Sequence, residues 1–193
     1  MKRNRWRENP TGLEPLAAQA RDYALHMMKT TGSVPPTVIA DTAEGYVFCM
    51  PTSLTDEDAK NRFAEVARLF AIAHSARCMV MIVEAWAKLP DANGHLDTST
   101  PPSESPDRRE IVALMLEDHS RKATSLLPIL RDAAGAFTEL GDPGPLQFGE
   151  SEGRFSGLLP RHKPSAREVA QAHAALLALR LDIVNRGFDP TMN

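Results

Sequence analysis

Apolar residues recur along this chain at two different spacings, one typical of helices and the other of strands. Three segments repeat them every three or four positions, which predicts helices over residues 13–30, 55–75 and 165–186. Shorter apolar segments bounded by turn-forming residues predict six strands, over residues 37–40, 46–50, 78–88, 109–118, 122–131 and 136–140. The order of these elements favours an α+β fold with a mainly antiparallel sheet of four to six strands.

Two of these strands are apolar on both faces. Cys78–Val83 places apolar side chains on each side of the strand, and Ile111–Leu116 repeats the pattern. Such strands need cover on both faces of their sheet. Either the three helices divide between the two faces, or they pack on one face and a second copy of the chain covers the other, as a symmetric dimer.

Local signals predict where some elements begin and turn. Gly45 suits the positive φ of a hairpin turn between the first two strands. Pro128 lacks a backbone donor, which predicts that its strand lies at a sheet edge or contains a bulge. The residues expected to cap the helices are Thr11 with Glu14, Ser53 or Thr55, and Ser165 with Glu168.

The polar segments between these elements indicate the domain organisation. The 193 residues are enough for one domain, which we assign to residues 13–187. Residues 1–12 form a basic tail, and two polar loops, 90–108 and 141–163, interrupt the domain. We expect the insertion 90–108 to be mobile, because long loops without secondary structure are uncommon inside compact domains.

Composition narrows the class of protein. Apolar residues make up 42% and the formal net charge is -3, a globular balance that argues against binding nucleic acid mainly through phosphates. Cys49 and Cys78 lie in apolar segments, which predicts buried free thiols in a reducing compartment. The polar residues that follow the basic start predict no secretory signal, and the apolar runs are too short to span a bilayer. These features predict a cytoplasmic protein without a membrane partner.

Glu84 and Trp86 form the first candidate site. Glu84 is the one acid on an otherwise apolar strand face, where a buried carboxyl would have a raised pKa suited to proton transfer. The structural alternative is a strand end where Glu84 reaches solvent or pairs with Arg108 or Arg109 of the next strand. Trp86 and these two arginines are also candidate binding residues.

Acids and a histidine on the following strand form the second candidate site. Carboxylates together with a histidine could hold a divalent metal or move protons, as in a metal-assisted hydrolase or nuclease. A solvated hairpin turn explains the same residues without chemistry. The residues concerned are Glu110, Glu117, Asp118 and His119.

Other reactive residues lack the spacing that their chemistry needs. His74, Cys49 and Cys78 match no zinc-binding pattern, so core packing is the better interpretation. The glycine-rich stretch 141–153 has no lysine placed to bind phosphate, and His173 lies beside an apolar helix face. The sequence therefore predicts no metal site and no cofactor.

The basic tail is a third candidate site, for nucleic acid or an acidic partner. It concentrates four cations and a tryptophan at the start of the chain, although a solvated chain end explains the same composition. Its residues are Lys2, Arg3, Arg5, Trp6 and Arg7.

Three interpretations of function follow. The leading one is a non-enzymatic protein-interaction or ligand-binding module, with protein as the partner and self-association as a further option, because every catalytic pattern tested fails. The second is the small metal-assisted hydrolase or nuclease described above. The third is nucleic-acid binding through the tail, which the global charge does not favour.

Overall fold

The described part of the chain forms three helices and one antiparallel sheet. The computed structural model describes residues 12–51, 54–88, 99–150 and 153–179. Its helices are α1 (Leu13–Thr31), α2 (Glu57–Ala73) and α3 (Ala166–Ala178), and a single 3-10 turn spans Pro102–Glu104. Its strands are β1 (Thr37–Thr42), β2 (Gly45–Cys49), β3 (Cys78–Ala87), β4 (Arg109–Asp118), β5 (Lys122–Arg131), β6 (Phe137–Leu140) and β7 (Gln147–Phe148).

The strand order confirms the predicted α+β class. The sheet runs β2-β1-β3-β4-β5-β6, β7 pairs with β5, every pairing is antiparallel, and the sheet curls into a half-barrel. Each predicted strand is present with ends shifted by at most two residues. β7 was not predicted, because two residues are too short for an apolar alternation to show. The predicted continuation of α3 past Leu179 falls outside the described residues.

The helices cover both faces of the sheet, which confirms the first of the two arrangements considered. α1 packs on one face, where Leu16 and Ala20 join Val80 and Leu114 in one apolar core. α2 and α3 pack on the other face, where residues such as Phe70 and Leu176 meet Met79 and Met81. The central strands are apolar on both sides because each side forms part of a separate core.

The helix caps agree with the sequence in one case and correct it in two. Ser165 and Glu168 form the predicted capping box of α3, and the hydrogen bonds from Ser165 lower the pKa of Glu168 to about 2. The N-cap of α1 is Gly12, with φ of 126° and no side-chain cap, and Thr11 lies outside the described residues. Asp56 caps α2, because the helix begins two residues later than predicted and Asp56 accepts the N–H of Ala59 at 2.7 Å.

Pro128 lies in an inner strand rather than at an edge, and the register of this strand with β6 shifts between Leu130 and Arg131, which agrees with the other alternative, a strand that contains a bulge. β5 pairs with β4 along one side and with β6 and β7 along the other. The carbonyl of Pro128 accepts the N–H of Gly141 at 2.7 Å, on the side of β5 that faces β6. The N–H that proline lacks would point to the same side, where the pairing with β6 ends. The proline is tolerated because it leaves the ladder between β4 and β5 intact.

The two cysteines are buried free thiols, as predicted. Cys78 belongs to the core beneath α1 and Cys49 to the core beneath α2, so the two lie on opposite faces of the sheet. Burial raises the pKa of Cys49 to about 11 and that of Cys78 to about 12, the latter with help from the nearby Asp41 carboxylate.

Both thiols are therefore expected to be inert in the folded chain. At pH 8 a disulfide reagent such as Ellman's should modify them at less than about one hundredth of the rate measured in denaturant, because the thiolate is scarce and inaccessible. The matched control is a variant with a cysteine at an exposed position such as Thr138, which should react at once. Rapid modification of either native thiol under folding conditions would contradict this expectation.

Candidate functional site

The candidate residues of β3 and β4 divide between two ends of the sheet. β3 and β4 pair along their whole length, with Trp86 opposite Glu110 at one end and Cys78 opposite Asp118 at the other. Glu117 lies seven positions after Glu110, about 23 Å along an extended strand. The acids that the sequence grouped into one candidate metal site therefore belong to two separate places.

The first place is a surface that we call the sheet-end surface, made of Glu84, Trp86, Arg108, Glu110 and Arg131. Trp86 is 42% exposed, although most apolar residues of the three central strands are buried. The guanidinium carbon of Arg108 lies 4.4 Å from the centre of the Trp86 ring, which is a cation–π stack. Arg108 also donates a hydrogen bond to the carbonyl of Ser103, which holds the guanidinium over the ring.

An ion pair lies beside this stack. Arg131 donates from Nε to Glu110 Oε2 at 2.6 Å and from Nη2 to Oε1 at 3.2 Å, so both carboxylate oxygens are used. The hydrogen bond from Arg131 to Glu110 raises the pKa of Arg131, and the charge of Glu84 acts in the same direction. The cation that neutralises this group of acids thus comes from β5, two strands away from Glu84, rather than from the predicted Arg108 or Arg109.

Glu84 is not the buried acid that its position on an apolar strand face suggested. Its side chain is exposed, and one carboxylate oxygen accepts the backbone N–H of Val34 at 2.5 Å. β1 pairs with β3 only as far as Thr37 opposite Ile82. Glu84 lies beyond that point and emerges at the end of the core, which agrees with the structural alternative considered for it.

The second place holds Glu117, whose role is structural. Its side chain is buried and accepts the backbone N–H of Leu159 at 2.8 Å and that of Gly157 at 3.0 Å. Burial raises the pKa of Glu117, and these backbone hydrogen bonds oppose the rise. Glu117 thereby holds the segment containing Leu158 and Leu159 against the sheet, in the core that α2 and α3 share.

The neighbours of Glu117 complete a tight turn and a second tie to the same segment. Asp118 accepts the N–H groups of Ser120 and Arg121 and pairs with the Arg121 guanidinium. Although burial alone would raise it, the pKa of Asp118 is lowered, because the hydrogen bonds from Ser120 and Arg121 outweigh that effect. Nδ1 of His119 lies 2.7 Å from the carbonyl oxygen of Pro160. This agrees with the hairpin turn considered for these residues, to which the structure adds the contact with Pro160.

An open cleft beside this turn is lined by Ser120–Lys122 and by residues 148–150. Its two cations are already paired, Arg121 with Asp118 at 2.9 Å and Lys122 with Glu150 at 3.6 Å. The exposed ring of Phe148 lies 5.4 Å from the Arg121 guanidinium. The cleft therefore offers little uncompensated charge to a ligand.

An ion pair between a buried carboxylate and a half-exposed arginine, at the hairpin of β1 and β2, was not predicted from the sequence. Asp41 is 3% exposed, and its carboxylate accepts a hydrogen bond from Arg77 at 2.6 Å. The Cys78 thiol lies 3.7 Å from the second carboxylate oxygen. Arg77 also donates to the carbonyl of Thr42, so this one side chain joins the start of β3 to the end of β1. The sequence signal that could have indicated this ion pair is Arg77, which lies directly before β3.

The remaining candidates form no metal site in the described residues. The ring of His74 lies 4.6 Å from Phe70 and 5.7 Å from His173, and burial lowers the pKa of His74 with a smaller contribution from His173. Within residues 12–51, 54–88, 99–150 and 153–179, no three His, Cys, Asp or Glu side chains are grouped so that they could hold a metal ion. Residues 2–7 of the basic tail and residues 90–98 of the insertion 90–108 lie outside the described residues.

Comparisons with known proteins add no functional assignment. The chain matches no protein-family model, no curated protein and no solved structure. Among the described residues, no helix combines the length and apolar character needed to cross a membrane.

Proposed function

We propose that this chain is a non-enzymatic protein-interaction module that docks a partner protein on the sheet-end surface. The observation that carries the proposal is the exposure of Trp86, with its ring already stacked against Arg108. Tryptophan and arginine are the residues most enriched among those that contribute strongly to protein interfaces. A large aromatic ring held in place by a neighbour also loses little conformational entropy when a partner covers it.

The binding free energy expected from covering the exposed part of Trp86 supports this residue as the centre of such an interface. A tryptophan side chain buries roughly 200 Å² when fully covered, so covering the exposed two fifths removes about 80 Å² from water. At about 25 cal/mol per Å² this corresponds to about 2 kcal/mol of binding free energy. The ion pair of Glu110 and Arg131 and the carboxylate of Glu84 surround the ring with polar groups, as at the rim of a protein interface.

The backbone beside Trp86 indicates the shape of the partner. β3 runs five residues, Val83–Ala87, past the end of β1, because Pro35 and Pro36 lack the N–H groups that would continue the ladder. From one residue of a strand to the next, the backbone N–H and carbonyl point to opposite sides of the strand. The carbonyl of Pro128 points away from β4, so the backbone groups of its β4 partner Ile111 point towards β3. The backbone groups of Ile111 and of its β3 partner Ala85 therefore point at each other.

The N–H and carbonyl of Trp86 consequently point away from β4, to the side on which β1 has ended. In the described part of the chain no strand lies there. An extended segment of a partner protein could pair with these backbone groups while one of its apolar side chains covers the indole ring.

The non-enzymatic assignment is supported by the roles that the candidate catalytic residues already have. Glu110 pairs with Arg131, Glu117 holds two backbone N–H groups, and Asp118 closes a turn. The two buried thiols suit a reducing compartment, so the proposal places the module in the cytoplasm.

The test begins with crosslinking in cells. A photoreactive amino acid replaces Glu84, which is exposed beside Trp86, and the same amino acid replaces Phe148, which is 51% exposed at the opposite end of the sheet. A protein crosslinked from position 84 and not from position 148 is then purified. Its dissociation constant should rise at least about 30-fold with Trp86→Ala, because loss of a central tryptophan costs about 2 kcal/mol or more.

Phe148→Ala is the matched control, and its dissociation constant should equal that of the native chain. Trp86→Phe should retain part of the affinity, since it keeps an aromatic ring for Arg108. Equal affinity of the native chain and Trp86→Ala, or identical crosslinked products from positions 84 and 148, would contradict the proposal.

A further inference from the structure

Few side chains hold α3 on the rest of the molecule. α3 packs against α2, and its buried residues are Ala172 and Leu176. Both join the core beneath α2, where Phe70 is also buried. Because so few apolar side chains of α3 contribute to this core, a polar or charged group at the contact between the two helices strongly influences whether α3 stays in place.

Two histidines meet at this contact. His74 is the C-cap residue of α2, and its ring lies 4.6 Å from the ring of Phe70 and 5.7 Å from the ring of His173 on α3. The two histidine rings are inclined by 71°, an edge-to-face arrangement that suits neutral aromatic rings. Nε2 of His74 is buried, and among the described residues it has no hydrogen-bond partner. Such a nitrogen is unusual, because buried polar groups are normally hydrogen-bonded.

A proton on either ring would make this contact unfavourable. On His74 the added charge would be partly buried, and the N–H at Nε2 would have no acceptor among the described residues. On His173 the charge would lie 5.7 Å from the His74 ring and would disfavour a second charge there. In agreement with this geometry, the pKa of His74 is lowered, first by burial and then by His173.

Two features favour a charged His74, and neither outweighs these effects. Glu44, in the turn between β1 and β2, attracts a positive charge on His74, but less strongly than burial and His173 disfavour it. The carbonyl groups at the end of α2 also attract positive charge. The ring of His74 packs on Phe70 one turn earlier, so it leans away from these carbonyls. The contact therefore suits two neutral rings.

We propose that the contact between His74 and His173 makes the docking of α3 sensitive to pH: α3 stays on α2 while both rings are neutral and is released when they bind protons. When α3 is released, the ring of His74 becomes solvated and regains its ordinary pKa of 6.5, above the lowered value of the docked state. The released state therefore binds protons more tightly, so docking is complete above pH 6.5 and weakens as pH falls below it. Release would uncover the part of the core that Ala172 and Leu176 cover.

The titratable groups at the start of α3 respond to acid differently. The hydrogen bonds from Ser165 lower the pKa of Glu168 to about 2, so the capping box persists throughout the range in which histidines titrate. Nε2 of His162 lies 3.2 Å from the Glu168 carboxylate, and a proton on His162 would strengthen this contact. The start of α3 is therefore not weakened by acid.

Glu117, which holds the segment before α3, does not explain a release in acid either. Burial raises its pKa, so the hold of Glu117 on the N–H groups of residues 157 and 159 is strongest at low pH. A loss of α3 on acidification would thus originate at His74 and His173. The proposal is independent of the sheet-end surface, because Trp86 projects from the face of the sheet that α1 covers, whereas α3 packs on the other face.

The first experiment measures hydrogen exchange of the full chain by mass spectrometry at about pH 7.5 and about pH 5, on either side of the range in which histidines titrate. After correction for the intrinsic pH dependence of exchange, the protection of α3 should fall about fivefold or more in acid, because a pKa difference of about one unit between the two states shifts the docking equilibrium by this order. α1, on the other face of the sheet, should keep its protection. In His74→Phe, which keeps a ring but cannot bind a proton, α3 should no longer lose protection in acid. The matched control His26→Gln, on α1, should show the same loss as the native chain.

The second experiment follows the ring of His74 by NMR during a pH titration. The pKa of His74 in the native chain should lie below 6.5, and it should rise in His173→Gln, because the second ring no longer opposes the charge. Equal protection of α3 at the two pH values in the native chain would overturn the proposal. So would a loss of protection that persists in His74→Phe, or a His74 ring that titrates at or above pH 6.5.

Discussion

Replacing Glu117 by alanine is expected to lower the free energy of unfolding by about 3 kcal/mol, since the buried N–H of Leu159 would lose its acceptor at a cost of about 1–3 kcal/mol and the hydrogen bond from the more exposed Gly157 would be lost as well. The backbone nitrogens of Gly157 and Leu159 lie 3.0 and 2.8 Å from the carboxylate. The loss would also loosen Leu158 and Leu159, which are 2% and 6% exposed in the core beneath α2 and α3. Urea denaturation followed by circular dichroism measures the change.

The matched control for this prediction is Glu139→Ala. Glu139 is exposed on the edge strand β6, and its loss should change the free energy of unfolding by no more than about 0.5 kcal/mol. If Glu117→Ala behaved like this control, the hydrogen bonds to residues 157 and 159 would contribute nothing to stability.

The raised pKa of Glu117 also predicts a pH dependence. Because burial raises the pKa of this carboxyl above its ordinary value of 4.5, its contribution to stability is greatest below that value and declines as pH rises through the raised folded-state pKa. Glu117→Gln cannot ionise, so the difference in stability between the native chain and this variant should change with pH across that window. A difference that stays constant with pH would show that the carboxyl titrates alike in the folded and unfolded chain.

Replacing Arg77 by leucine is expected to lower the free energy of unfolding by about 2 kcal/mol. The Asp41 carboxylate is buried and would lose its partner at 2.6 Å, and breaking a buried ion pair costs about 3–5 kcal/mol. We expect a loss of about 2 kcal/mol, below that range, because the Arg77 side chain is 46% exposed and solvent already screens part of the interaction. The hydrogen bond from Arg77 to the carbonyl of Thr42 is lost as well.

A second substitution separates loss of the ion pair from loss of packing. In Arg77→Leu with Asp41→Asn, no charge is left buried, so the double variant should recover at least about 1 kcal/mol relative to Arg77→Leu alone. Arg21→Leu, at an exposed position of α1, is the matched control and should have little effect. A double variant that is less stable than Arg77→Leu would mean that the buried carboxylate does not need the arginine.

Most elements of the fold could be predicted because their signals are local. Helical spacing and capping residues located α3, and two-faced apolar runs located β3 and β4 and indicated that both sides of the sheet are covered. Gly45 adopts φ of 118°, as its place in a hairpin turn required. β7 and the burial of Leu158 and Leu159 could not be predicted, because a loop that packs on a sheet has no periodic pattern of its own.

The candidate sites were less predictable, because they depend on how far each strand runs and on what packs against it. The sequence placed Asp41 in the hairpin turn. β1 is two residues longer than predicted, so Asp41 lies within the strand, where it is buried and pairs with Arg77. The sequence left open whether Glu84 is buried or emerges at a strand end, and it is exposed because β1 ends opposite Ile82.

The sequence by itself determined the class of fold, the order of its helices and strands, the two-sided burial of its sheet and the state of its thiols. All of these follow from interactions between residues close together in the chain or from apolar periodicity. Only the tertiary structure decided which acids are structural and which surface is left open. Arg131 reaches Glu110 across 21 positions of the sequence, and Leu159 reaches Glu117 across 42. Such contacts arise from the curl of the sheet and the path of a loop, which local composition does not encode.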